Sequence, residues 1–487
     1  MQQLTGLDTG FLTMETARQF GHVGGLYVFG PGADYDATRA QIERRLPLLP
    51  PYRRQLVEVI FGLDNPYWIE SPDFDLDFHL RHMAVPPPGN REQLADMVAR
   101  LAARPMDRSR PLWEWYVIEG LESGDIAHYA KTHHATIDGA SGTELMTVLL
   151  DDTPEGRQID PPAEPWKPDR VPSDLELLRL TMMSYLRRPG RMARAQVRLV
   201  RELADRSGSD QLRSVVRLMT RPLGPFGEML RRGPPRRAGD DPPELPMGAA
   251  PRTPWNATIT AHRRWAYITL PLGDVKRVKN HHAVTVNDVV LALCAGALRR
   301  YLEAHRALPT DPLTAMCPVS IRTGAESDKY SNRVSGILVS LATNVDDPVQ
   351  RLTEIQRSTV AAKQQFTAIP ADALQDFSQF APPAVMARAS RMLSRARIAD
   401  RINSPVNVTI SNVPGPRHPL YMAGAQLRHM YPVSMVTDGL GLNITVCSYM
   451  DNMDFGLLSC RELVPDLWTM NDHLRGALDE LVATVRP

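Results

Sequence analysis

Residues 156–252 constrain this 487-residue chain more than any other stretch, because they cannot be built into a continuous core. The chain enters them through DTPEGRQIDPPAEPWKPDRVP and leaves through RRGPPRRAGDDPPELPMGAAPRTP. Proline lacks the N–H that helix interiors and central strands use, so neither element continues across such runs. Between them, over residues 173–232, Leu175, Leu178, Met182 and Leu186, then Val197, Val200 and Leu203, recur at helical intervals among arginines. A Gly-Pro-type break at 189 and another at 222–225 divide that stretch. The expected organisation is therefore a first unit over 1–155, a partly helical crossing over 156–252 and a second unit over 253–487.

Both flanking segments alternate strand-like and helix-like patterns. In the first, HVGGLYVFG and WEWYVIEGL read as strands and REQLADMVARLAARPM as a helix. In the second, ITAHRRWAYITLPL reads as a strand and VNDVVLALCAGALRRYLEAH as a helix. LTAMCPVSI, VNVTISNV, GLGLNITVCSY and DFGLLSC follow as strands, the last two forming a hairpin about MDNM. The fold class expected is α/β, with mixed β-sheets flanked by helices and a ligand cleft between the two units.

Charge excludes some functions. The formal net charge is +1, too small for a molecule-wide field directed at nucleic acid, and none is expected as a partner. Locally, residues 179–237 hold fifteen arginines and no lysine against four acids, an excess of eleven positive charges. That segment reads either as a solvated helical crossing or as a surface that docks on anionic lipid. Cysteines 294, 317, 447 and 460 show no C-x-x-C spacing, and the opening MQQLTGLDTGFLTMETARQF has neither a basic start nor an unbroken apolar run. A cytoplasmic protein with reduced thiols is expected, with peripheral contact on a membrane or lipid inclusions.

The chemistry concentrates in IAHYAKTHHATIDGASGTELMTVLL, which begins with strand alternation and ends as a helix. Alternation puts His134 on one face with Thr132, Ala130 and His128, and turns His133 to the other. Asp138-Gly139 falls at the transition, where Asp can cap a helix and Gly can take a backbone conformation that other residues resist. An imidazole near a helix N-terminus is disfavoured in its protonated form and stays available to accept a proton. No H-E-x-x-H or similar spacing accompanies the His133/His134 and His281/His282 pairs, so no metal is expected. Gly139-Ala-Ser141-Gly142-Thr143 departs from the G-x-S-x-G elbow of serine hydrolases at its last position.

HHATIDG at 133–139 matches the HHxxxDG signature of the coenzyme A-dependent acyltransferase superfamily. Further segments resemble the bacterial wax ester synthase/diacylglycerol acyltransferase family in family order. They are LTGLDTGFLTMETARQFGHVGG, the Pro111-Leu112-Trp113 segment, TPWNATITAHRRWA, VNDVVLALCAGALRRYL, CPVSIR, NVTISNVPGP and GLGLNITVCSY. The resemblance implies two chloramphenicol-acetyltransferase-like domains with a tunnel between them. Acyl-CoA enters as co-substrate from one side, diacylglycerol or a fatty alcohol from the other, and no cofactor is needed. It further implies direct attack with His134 as general base, while Asp138 holds local structure through an arginine such as Arg322.

Other residues keep two readings. Asn287 and Asp288 match the family's ND pair, yet Thr285-Val286-Asn287-Asp288 also has the form of a capping box. Trp113 is either core or ligand wall. Ser411 and Asn412, before the Pro414-Gly415-Pro416 turn, either donate to the thioester oxygen or hold the turn. Two rivals stand beside the main reading: an acyltransferase with another acceptor, and a non-catalytic lipid-surface scaffold.

Overall fold

The computed structural model describes residues 1–136, 145–159, 166–184, 249–320, 334–367 and 383–485. Asp138, Gly139, Arg322 and all but the start of the arginine-rich stretch lie outside the described residues.

The first half contributes strands β1 (Gln2–Gln3), β2 (His22–Phe29), β3 (Arg54–Val57), β4 (Tyr67–Glu70), β5 (Leu80–Ala84), β6 (Trp113–Glu119) and β7 (Ile126–His133). The second contributes β8 (Arg263–Pro271), β9 (Thr314–Ser320), β10 (Val334–Ser340), β11 (Val408–Pro414), β12 (Tyr421–Met422), β13 (Ala425–Val433), β14 (Leu442–Tyr449) and β15 (Asn452–Cys460). They form two six-stranded sheets, ordered β12-β13-β2-β7-β6-β5 and β10-β9-β11-β14-β15-β8, and a small β1-β4-β3 sheet. Both large sheets are mixed: β5 runs parallel to β6, and β11 parallel to β9 and β14, among otherwise antiparallel pairs. The fold is α/β, and the expected β14–β15 hairpin is formed.

The segment 253–487, expected as the second unit, lends strands β12 and β13 to the N-terminal sheet. Strand β13 pairs antiparallel with β2, Tyr431 opposite Leu26 and Val433 opposite Gly24. Alternation marks a strand but not its partner, which is why this exchange was not legible. Strand β13 also touches the other sheet. A Cβ on Gly456 of β15 would lie 1.8 Å from the Pro432 carbonyl oxygen, so only glycine permits the approach. Buried Asp454 of β15 accepts the Thr269 hydroxyl of its own sheet at 2.6 Å and, across to β13, the Met430 N–H at 2.8 Å, so a polar contact ties the sheets as well.

Helices start where capping chemistry allows. Thr5, Asn90 and Thr285 each close a capping box, with Asp8, Gln93 and Asp288, at the heads of helices Gly6–Thr13, Arg91–Ala102 and Val286–Ala304. The last is buried along most of its length, in the core formed with the second sheet and the helices Leu272–His281 and Thr469–Ala483. Among the described residues no single helix is long and apolar enough to cross a membrane. Helices Leu272–His281 and Val286–Ala304 pass that test only as a pair bent by 106°.

Candidate active site

Strand β7 runs through the middle of the first sheet and delivers its end to a cleft between the sheets. Ala130, Thr132 and His134 line this cleft, as the two-residue alternation requires. The strand stops at His133, yet the His134 N–H still donates to the Gly21 carbonyl at 2.8 Å, holding its backbone beside the start of β2. The Phe11 ring stacks on the imidazole, with centroids 4.1 Å apart and planes 12° from parallel. A half-buried imidazole clamped on its backbone and on one ring face presents a set orientation to the cleft.

The cleft encloses about 1210 Å³, counted out to open solvent. Strand β2 supplies Val23, Gly24 and Gly25, and β13 supplies Met430 to Val433. From the second sheet come Pro318 on β9, Thr409, Ser411 and Val413 on β11, and Thr445 and Cys447 on β14. No Asp, Glu, Lys or Arg is among the described lining residues. Burial pushes the Cys447 thiol and the Tyr52 phenol up to about 12 each, so both are neutral at neutral pH. His134 is the one histidine among these described lining residues.

His133 points the other way and is fully buried. Its Nδ1 accepts the Ala135 N–H at 3.0 Å, which assigns the remaining proton to Nε2, 3.2 Å from Glu15 Oε1. Glu15 also accepts the Gly21 N–H at 2.7 Å and Arg108 Nη2 at 2.7 Å. Burial alone would raise the Glu15 carboxyl. The hydrogen bond to His133, the Gly21 N–H and the Arg108 guanidinium outweigh it and hold the group at about 2. The Gly21 peptide therefore joins this ionic cluster to His134: its N–H serves Glu15 and its carbonyl receives His134. A side chain there would collide, since a Cβ would stand 2.8 Å from both His133 Nε2 and the Phe11 carbonyl oxygen.

The remaining expected residues separate. Ser411 faces the cleft, whereas Asn412, next on the strand, turns behind it to Asn287, whose Oδ1 lies 3.5 Å from its Nδ2. Asp288 Oδ2 accepts the Thr285 N–H at 2.9 Å and the Thr285 hydroxyl at 2.7 Å, and so caps its helix outside the cleft lining. Trp113 is core: its indole N–H donates to the Tyr52 carbonyl at 2.7 Å, and its ring is stacked between Tyr52 and His79. It backs the Tyr52 ring that does line the cleft. Phe11, Glu15, Gly21 and Arg108 were missed as site residues. Glu15 and His133 are 118 positions apart, and no spacing rule connects them.

Models of the wax ester synthase/diacylglycerol acyltransferase catalytic domain and of the matching C-terminal domain fit residues 4–290 and 330–482. The chain belongs to the wax ester synthase/diacylglycerol acyltransferase family. It is 33% identical over 486 residues to the O-acyltransferase WSD of Acinetobacter baylyi, covering 97% of this chain and 95% of that one. To a putative diacylglycerol O-acyltransferase of Mycobacterium tuberculosis it is 36% identical, over 99% of this chain and 100% of that one. In three dimensions it is similar to the wax ester synthase/diacylglycerol acyltransferase of Marinobacter aquaeolei VT8, at a TM-score of 0.67 and 30% identity, covering 99% and 100% of the two chains. Its fold is also that of a condensation domain of the CDA synthetase, at a TM-score of 0.55 and 14% identity over 100% and 97%. The protein is an acyltransferase, and its fold is that of two chloramphenicol-acetyltransferase-like domains.

Proposed function

We propose that this acyltransferase moves a long-chain acyl group from acyl-CoA to the hydroxyl of diacylglycerol or a fatty alcohol, by direct attack with His134 as general base. One observation carries the reading: among the described residues, a single oriented imidazole faces an otherwise uncharged, largely apolar cleft lining that both sheets supply. An apolar wall suits an acyl chain and a lipid alcohol, and it keeps water from competing for the thioester. His134 takes the acceptor's proton as its oxygen attacks the thioester carbonyl carbon. The tetrahedral intermediate then collapses, the C–S bond breaks, and the same proton passes to the departing CoA sulfur. The Ser411 hydroxyl, opposite on β11, is the candidate donor to the transient oxyanion. A neutral, positioned base contributes about 10²- to 10⁴-fold to such a step.

The acceptor is tested by incubating the purified protein with palmitoyl-CoA and either diacylglycerol or hexadecanol, then separating the lipids by chromatography. Triacylglycerol or wax ester is the expected product, with one equivalent of free CoA. Ester-free extracts with no CoA release would instead favour a non-catalytic scaffold.

A further inference from the structure

Helix Pro383–Arg395 packs with its polarity inverted. A surface helix ordinarily buries its apolar stripe. Here Pro383 and Ser394 are buried, while Val385, Met386, Met392 and Leu393 stand 56%, 47%, 68% and 49% exposed. Positions 385, 389, 392 and 396 follow the helical period, with 386 and 393 beside them, so Val385, Ala389, Met392 and Ala396 form one stripe that faces solvent. Arg388, Arg391 and Arg395, at i, i+3 and i+7, run along one edge of it. Over 383–402 there are five arginines and a single acid, Asp400, which is held by Arg397 Nε at 2.7 Å and by the Thr258 N–H at 2.7 Å.

A second feature joins the stripe. Phe61 is 81% exposed on a backbone with φ +56°, a left-handed conformation that a bulky side chain resists. Its neighbour Gly62 lies against Ala384, where an added Cβ would come within 3.1 Å of the Ala384 Cβ. The strained turn therefore holds a phenyl ring in water beside the start of the apolar stripe.

We propose that this stripe, with Phe61 as a wedge and the arginines as its charged border, docks the protein on an anionic phospholipid surface. Apolar side chains that enter the acyl boundary and cations that meet lipid phosphates are the combination an interfacial helix uses. The helix also stands next to the site. Its Ser394 accepts Arg18 Nη2 at 2.8 Å, and it packs on helix Gly6–Thr13, which carries the Phe11 that stacks on His134. One helix thus separates the docking face from the imidazole, a short path for an acceptor that leaves a bilayer. Only this purpose rests on the acyl-transfer reading; the surface itself stands on the helix.

The test is flotation of the full chain with vesicles of phosphatidylcholine and phosphatidylglycerol in equal parts, which needs no turnover. The wild type is expected to float with them, less so at high salt and less with pure phosphatidylcholine. Met386→Glu combined with Leu393→Glu should cut the bound fraction at least about tenfold. The double variant should still release CoA from a short-chain acyl-CoA with a water-soluble alcohol, which shows that it is folded. A wild type that stays off the vesicles overturns the proposal, as does a double variant that floats undiminished. So does a double variant that loses only a dimer in sedimentation while flotation is unchanged.

Discussion

At the residue scale, the site is a strand end with two histidines doing different work. His134 meets the cleft, and His133 anchors the turn through Glu15 and the Ala135 N–H. Glu15 makes this anchor pH-dependent. Its carboxyl sits at about 2 in the fold against an ordinary 4.5, so the unfolded chain binds the proton more readily. The stabilisation is complete above pH 4.5 and is lost as the pH falls toward 2, in all on the order of 3 kcal/mol. Glu15→Gln should therefore melt below the wild type at neutral pH, with the gap closing over that acid window; a gap constant with pH would separate Glu15 from His133 and Arg108. Alternation in the sequence was enough to tell His134 from His133, because side-chain direction along a strand is a local property. Glu15, Arg108 and Phe11 were illegible because they reach β7 only through the packing of helix Gly6–Thr13 and the loops around it.

At the element scale, capping chemistry was readable in advance and favours one of two roles for Asp288. Its carboxylate closes the box with Thr285 at the head of helix Val286–Ala304, and it does not reach the cleft lining. Asp288→Ala should cost about 1–2 kcal/mol of stability in urea denaturation while KM for acyl-CoA stays put. A raised KM with unchanged stability would make it a substrate contact instead. Strand β11 shows the same logic in reverse. Two neighbours proposed together part company, Ser411 toward the cleft and Asn412 toward Asn287, because the pleat sends adjacent side chains to opposite faces.

At the scale of the whole molecule, the α/β halves were legible on either side of the proline-rich crossing, but their interlock was not. Pairing of β13 with β2 and the Gly456–Pro432 approach make one wall of the cleft from both ends of the chain. Thermal unfolding should then be a single transition by calorimetry and by fluorescence, and residues 1–155 alone, with β2 left as an open edge, should show no cooperative melt. Two separable transitions would mean that the interlock contributes little. The interlock matters to function because it brings both sheets around a cleft whose described lining holds one imidazole and no Asp, Glu, Lys or Arg. The most direct test of that account is CoA release by His134→Gln, a substitution close in size, compared with wild type at matched melting temperature. A loss of about a hundredfold or more is predicted for a general base; turnover near that of the wild type would contradict it.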